Sequence, residues 1–145
     1  MIGQTLLDNY WLPAIRGYTE IRRGNPAQAL KNLEVAAPYD LAFPMPQFEE
    51  GALIYPAYVR GQAYLLLHQG KEAALEFQKL LEHRGVVINS PLIALAHYQI
   101  ARGLAMSGDL AGSRKAYQDF FALWKDADPD IPILKEAKTE YAKLQ

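Results

Sequence analysis

A chain of 145 residues, 50% hydrophobic and 21% charged, has enough apolar material for one globular domain over 1–145 and too little charge for a disordered tail. Its 15 Lys and Arg balance 16 Asp and Glu, a net charge of −1, so the basic footprint of a nucleic-acid or anionic-membrane binder is missing. With no cysteine, disulfide frameworks, thiolate metal sites and cysteine nucleophiles are excluded.

In chain order, the spacing of apolar residues predicts seven helices, over about 5–23, 26–37, 49–69, 71–84, 90–107, 110–125 and 131–144. Pro13 falls inside the first helix and Pro56 inside the third. An interior proline costs about 3 kcal/mol, so each is expected in a first turn or at a kink. The turn Arg23-Gly24-Asn25-Pro26 separates the first two helices, with Asn25 as N-cap and Pro26 in the following first turn. From Pro38 to Gln47, Pro38, Pro44 and Pro46 surround Phe43 and Met45. That stretch is too rich in proline for a helix and either packs over the core or serves function. Glu49 and Glu50 lead the third helix, where acidic side chains suit the helix dipole. Gln69-Gly70-Lys71-Glu72 and Ser107-Gly108-Asp109-Leu110 are the turns analogous to the first. Between Gly85 and Asn89, the β-prone run Val86-Val87-Ile88 is short enough to be a connector. Ser90-Pro91, Asp109 and Asp130-Ile131-Pro132 each begin a helix. The last helix turns Ile131, Leu134, Ala137, Tyr141 and Leu144 to one side and Lys135, Glu136, Lys138, Glu140 and Lys143 to the other, which predicts a terminal cap. Its mixed charges do not suit a membrane surface. No apolar run approaches the roughly 18 residues of a membrane span, and Met1-Ile2-Gly3-Gln4 lacks a secretory start, which together predict a cytoplasmic protein.

After each turn comes a small residue with a large one four places on: Ala29 with Leu33, Ala73 with Phe77, Ser113 with Tyr117. Such pairs share a helix face, the small one admitting a neighbouring helix and the large one filling the space beside it. Helix pairs of this kind resemble the tetratricopeptide repeat. In the second unit Gly61, Tyr64, Ala73 and Phe77 stand at the family's positions. The first supplies Gly17, Gly24, Ala29, Leu33 and Ala36, and the third Ala101, Gly108, Ser113 and Tyr117. The turn glycines at 24, 70 and 108 stand 46 and 38 residues apart, against a family period of about 34. The segment from Ala116 through Tyr117, Phe120, Phe121 and Trp124 to Pro132, together with 55–64 and the Glu76 to Val87 stretch, is similar to the closing repeat block of bacterial eukaryotic-like serine/threonine kinases and winged-helix signalling proteins. The resemblance implies an all-α superhelix of three helix pairs, about 5–37, 49–84 and 90–125, closed by a capping helix at 131–144. It also implies a cytoplasmic scaffold that binds protein and stands at the C-terminal end of a signalling protein. The Gly-rich loop, strand lysine and catalytic-loop Asp of a kinase are missing from these residues.

In such a stack the first helix of each pair lines a concave groove. That geometry nominates Trp11, Tyr18 and Arg22, then Tyr55, Tyr58 and Gln62, then Tyr98, Arg102 and Met106 as a partner-binding surface. Aromatic rings with polar tips and Arg suit peptide recognition, and any one ring could equally fill the core. Where some family members clamp a terminal carboxylate with Lys and Asn, this groove carries Tyr, Gln and Arg, so a chaperone-tail receptor is disfavoured. Arg22 with Arg102 would suit an acidic or phosphorylated segment. His68, His83 and His97 match no metal-ligand spacing and read as surface or helix-end residues. No nucleophile elbow, phosphate-binding loop or HExxH motif occurs. The expected function is therefore a non-catalytic protein-interaction module without cofactor, metal, nucleic acid or membrane as partner; the alternative is a self-association module.

Overall fold

The computed structural model describes residues 2–41, 55–84 and 91–145. Among them are seven helices, packed in sequential antiparallel pairs. Helix α1 runs without a break from 2 to 22, as Ile2–Leu6, a π segment Leu7–Trp11 and Leu12–Arg22. Helix α2 is Pro26–Leu33, extended by a 3-10 segment Glu34–Tyr39. The others are α3 (Tyr55–Leu66), α4 (Gly70–Glu82), α5 (Leu92–Met106), α6 (Leu110–Leu123) and α7 (Pro132–Ala142). The expectations for Phe43, Met45, Glu49, Glu50, Val86-Val87-Ile88 and Ser90 lie outside the described residues.

Pro13 neither starts nor breaks α1. A proline ring clashes with the carbonyl four residues back, and the π segment just ahead, in which the Leu12 amide donates to Leu7 O, widens the helix there. Pro56 is the second described residue of α3, whose approach from 54 lies outside the described residues. Helical structure also reaches past the expected end of the second helix, because Pro38 is accommodated in the tighter 3-10 turn.

The three inter-helix turns share one set of hydrogen bonds. The amide of Gly24 donates to Ile21 O and that of Asn25 to Glu20 O. His68 and Gln69 donate likewise to Leu65 and Tyr64, and Gly108 and Asp109 to Ala105 and Leu104. The first bond spans 3.0 to 3.1 Å and the second 2.9 Å in every case. This is a Schellman closure, which needs a left-handed residue just past the helix end. Gly24, His68 and Gly108 occupy that place, with φ of 79°, 58° and 89°. The shared turn therefore passes through His68, and the expected equivalence of Gly70 to Gly24 and Gly108 is corrected by the backbone. Asn25 is also reassigned: its side chain donates to Glu20 Oε2 at 3.0 Å instead of capping α2. Asp109 does cap α6, accepting from the Gly112 amide at 2.9 Å.

Within each pair, a residue with little or no side chain on the first helix receives a large one from the second. A Cβ at Gly17 would lie 2.7 Å from Leu33, and one at Gly61 2.6 Å from the Phe77 ring. In the third pair, Ala101 is buried and its carbonyl accepts from the Ser113 hydroxyl at 2.7 Å. Gly70 has a different task. Its backbone abuts Gly103 of α5, and a Cβ there would stand 2.3 Å from Gly103 O, so the second and third pairs meet backbone to backbone.

Buried side chains fall into two clusters. The larger runs from Ala57 through Phe77, Leu80, Tyr98, Tyr117 and Phe120 to Leu134 and Ala137; the smaller joins Ala14 and Leu33 to Val59. Burying one such Leu or Phe side chain contributes about 1.5–3 kcal/mol. Helix α7 buries Leu134 and Ala137, and its Tyr141 packs edge-on against Tyr117 and Phe121 at ring separations of 5.9 and 5.6 Å.

Candidate functional site

The first helices of the three pairs, α1, α3 and α5, lie side by side. Their turns share one geometry, so residues 18, 62 and 102 occupy one position along the three helices, and residues 22, 66 and 106 the position one turn further on. Between these helices opens a cleft of about 390 Å³. Apolar side chains of Ile21, Leu65, Leu66 and Met106 form part of its wall, and the polar part comes from Gln62, His68, Gln99 and Arg102.

Of the nine nominated residues, Gln62, Arg102 and Met106 meet in this cleft. Tyr18 is 41% exposed on α1 and lies near Tyr55, whose hydroxyl pKa is raised by burial and, to a lesser degree, by Tyr18. Tyr55 stacks on Tyr58 with ring centres 6.5 Å apart. Trp11 meets Tyr10 edge-on at 5.0 Å, and Arg22 is exposed in the last turn of α1. None of these four lines the cleft.

Tyr58 and Tyr98 belong to the core. Tyr58 is buried and packs edge-on against Phe77 at 5.3 Å; burial raises its pKa, opposed by the neighbouring Gln99 side chain. Tyr98 is 1% exposed between Tyr117 and Phe120, and burial drives its hydroxyl well above the ordinary range. Both stand where the first pair has Ala14, a position that points into the stack, so the concave placement expected for these two rings is corrected.

Arg102 is held by three partners. Its guanidinium lies 5.5 Å from the centre of the Tyr98 ring, Nε is 3.3 Å from Glu140 Oε1, and Nη1 donates to Gln99 Oε1 at 3.3 Å. Glu140 also accepts from the Tyr117 hydroxyl at 2.7 Å, so α7 fixes the arginine from behind. With a carboxylate already beside it, Arg102 is a weaker anchor for an acidic segment than its residue type alone suggests. Gln62 supplies the unspent group: its side-chain oxygen is buried and accepts no hydrogen bond among the described residues. A buried acceptor without a donor costs about 1–3 kcal/mol, and an incoming N–H or O–H would recover it once the Gln62 amide turned its oxygen toward the cleft.

Leu65, Leu66, His68, Gln99 and Ile21 are cleft residues that spacing did not nominate. Leu66 was detectable, since counting from His68 places it level with Arg22 and Met106; the equivalence of Gly70 hid it.

Behind the first two pairs lies a buried ion network. Arg60 makes a two-pronged pair with Asp40, and its Nε and Nη2 donate to Glu76 Oε2 at 3.1 and 3.0 Å. Lys79 adds a second cation to Glu76 at 3.0 Å. Burial raises the Asp40 pKa, opposed by the Arg60 guanidinium. This network ties the end of the first pair to both helices of the second. His83 Nδ1 donates to Lys79 O at 2.9 Å at the end of α4, a helix-end role, whereas His97 is buried inside α5 with its pKa lowered by burial, which corrects its expected surface or helix-end placement.

Among the described residues, no group of three or more His, Asp or Glu side chains is placed to hold a metal ion. No helix there is long and apolar enough to cross a membrane. The cleft offers apolar wall, amides and a guanidinium, which are means of holding a chain by shape and hydrogen bonds. No family model matches the chain, and no match was found among curated proteins or solved structures.

Proposed function

We propose that the chain is a non-catalytic tetratricopeptide-type module, part of a larger signalling protein, that binds a segment of a protein partner in the cleft between α1, α3 and α5. The observation that carries the reading is the buried Gln62 oxygen, without a hydrogen-bond partner among the described residues, on a residue that lines a part-apolar cleft of about 390 Å³. That volume suits one or two side chains of a partner, with the partner's main-chain N–H answering Gln62 and an apolar side chain lying between Leu65, Leu66 and Met106. The antiparallel pairs, their common turn and the small-to-large contacts Gly17 with Leu33 and Gly61 with Phe77 support the repeat assignment.

The test is selection of binders from a displayed random peptide library, followed by affinity measurement on variants. Leu66 and Met106 are 51% and 41% exposed, so Leu66→Glu and Met106→Glu leave the fold intact. Each is expected to weaken a selected peptide at least tenfold, about 1.4 kcal/mol. Peptides that bind both variants as well as the parent protein would place the site elsewhere.

A further inference from the structure

Each pair after the first docks on its predecessor through one face of its first helix. In α3 that face comprises Pro56, Val59, Arg60 and Ala63, all buried. Val59 joins Ala14 and Leu33 of the first pair, and Arg60 reaches Asp40. In α5 the same positions are Ala96, Gln99, Ile100 and Gly103, again all buried, with Gly103 on Gly70 and Ala74 of the second pair.

The common turn geometry carries these positions onto Leu12, Ile15, Arg16 and Thr19 of α1. Here Leu12 and Thr19 are only half-buried and the two face residues between them, Ile15 and Arg16, are open. Ile15 is 58% exposed, against 0% for Val59 at the same place. Arg16 is exposed with no ion-pair partner among the described residues, where its counterpart Arg60 is buried between two carboxylates.

We propose that this face of α1 is covered by a second copy of the chain, with the two α1 helices antiparallel about a two-fold axis beside Leu12. Charge complementarity selects this occupant. Asp8 and Arg16 lie four residues to either side of Leu12, and the widened π turn keeps Asp8 on the flank that carries Arg16. In an antiparallel helix pair, residues on the same flank confront each other, so Asp8 of each copy meets Arg16 of the other, twice over. Leu12 then faces Leu12, with Ile15 and Leu7 alongside. A closed two-fold contact has this reciprocity, residue i on j and j on i. Head-to-tail stacking is disfavoured, because α7 occupies the far end of the array with Leu134 and Ala137 buried.

Sedimentation velocity and light scattering over roughly 10–500 µM test the proposal, since a single helix face is a small interface and implies micromolar association. The expected result is a concentration-dependent dimer that weakens with salt. Ile15→Asp is expected to abolish it. Asp8→Arg and Arg16→Asp, each placing like charges opposite each other, should each weaken it roughly tenfold or more, and the double exchange should restore it. All three positions are exposed, and circular dichroism confirms that each variant keeps its helices. A chain that stays monomeric throughout, a dimer indifferent to Ile15→Asp, or a double exchange that fails to restore association each overturns the proposal. Leu66→Glu, in the cleft, should leave the dimer unchanged, which separates this surface from the peptide site.

Discussion

The second inter-helix turn holds a histidine where the first and third hold glycine, and replacing it measures what that costs. His68 has φ of 58°, in the left-handed region. An L residue there costs about 1–2 kcal/mol, and His, which tolerates the region better than most, belongs near the lower figure. Glycine removes that cost but gives back about 0.5–1 kcal/mol through the greater freedom of its unfolded chain. His68 is exposed, so little packing is lost. His68→Gly is therefore expected to stabilise the fold by about 0.5 kcal/mol, a rise in melting temperature of roughly 1–2 °C for a domain of this size. The reverse exchanges are cleaner still. No atom lies within 4 Å of a Cβ added at Gly24 or Gly108, so Gly24→Ala and Gly108→Ala report the backbone cost alone, a loss of about 1 kcal/mol each. Urea unfolding followed by circular dichroism reads all three, and the slope with denaturant should not change. Destabilisation by His68→Gly together with neutral Gly→Ala exchanges would refute the shared turn geometry.

Three further outcomes follow from packing and charge. Arg60→Met leaves the Asp40 carboxylate buried without its cation and should cost about 3–5 kcal/mol in urea unfolding near neutral pH, most of it recovered by adding Asp40→Asn. Burial already raises Asp40 above its ordinary 3.8, so the folded state takes up the proton before the unfolded chain does. The contribution of Asp40 therefore falls as pH climbs from 3.8 through the raised value, and losing Arg60 raises that value further. The Arg60→Met deficit should consequently shrink as pH falls from neutral toward the raised Asp40 value, and a pH-independent deficit would contradict this assignment. Gly61→Ala drives a methyl into the Phe77 ring and should destabilise by about 1–3 kcal/mol, partly relieved by Phe77→Leu in a double-mutant cycle. Tyr117→Phe removes the donor to Glu140 and should cost about 1.5–3 kcal/mol in thermal unfolding, with Arg102 less firmly held at the cleft.

The helix pairs were legible in the sequence because their signals are local: apolar spacing, Pro26 and Pro132 at helix starts, and the contrasts of Gly17 with Leu33 and Gly61 with Phe77. The turn at His68 was not, since left-handed backbone is normally announced by glycine, and Gly70 stood two residues away as a decoy. Its real work, close approach to Gly103, depends on a residue 33 positions further along. For the same reason the groove prediction failed for two of its nine residues, Tyr58 and Tyr98. A tyrosine on the first helix of a pair has the same local spacing whether it faces a partner or the next pair, and only the stacking decides. Arg60 was invisible as a buried residue because its counterions, Asp40 and Glu76, lie 20 and 16 residues away on other elements.

The division of the interior into a large cluster and a small one implies unequal stiffness along the array. The second and third pairs with α7 share one apolar interior and meet through glycine backbones that leave no side chain free to slide, so they move as a block. The first pair joins that block through Ala14, Leu33 and Val59 and through the long arm of Arg60. Bending, partial opening and the earliest hydrogen exchange should therefore concentrate at this joint, which makes α1 and α2 the arm of the molecule and the remainder its anchor.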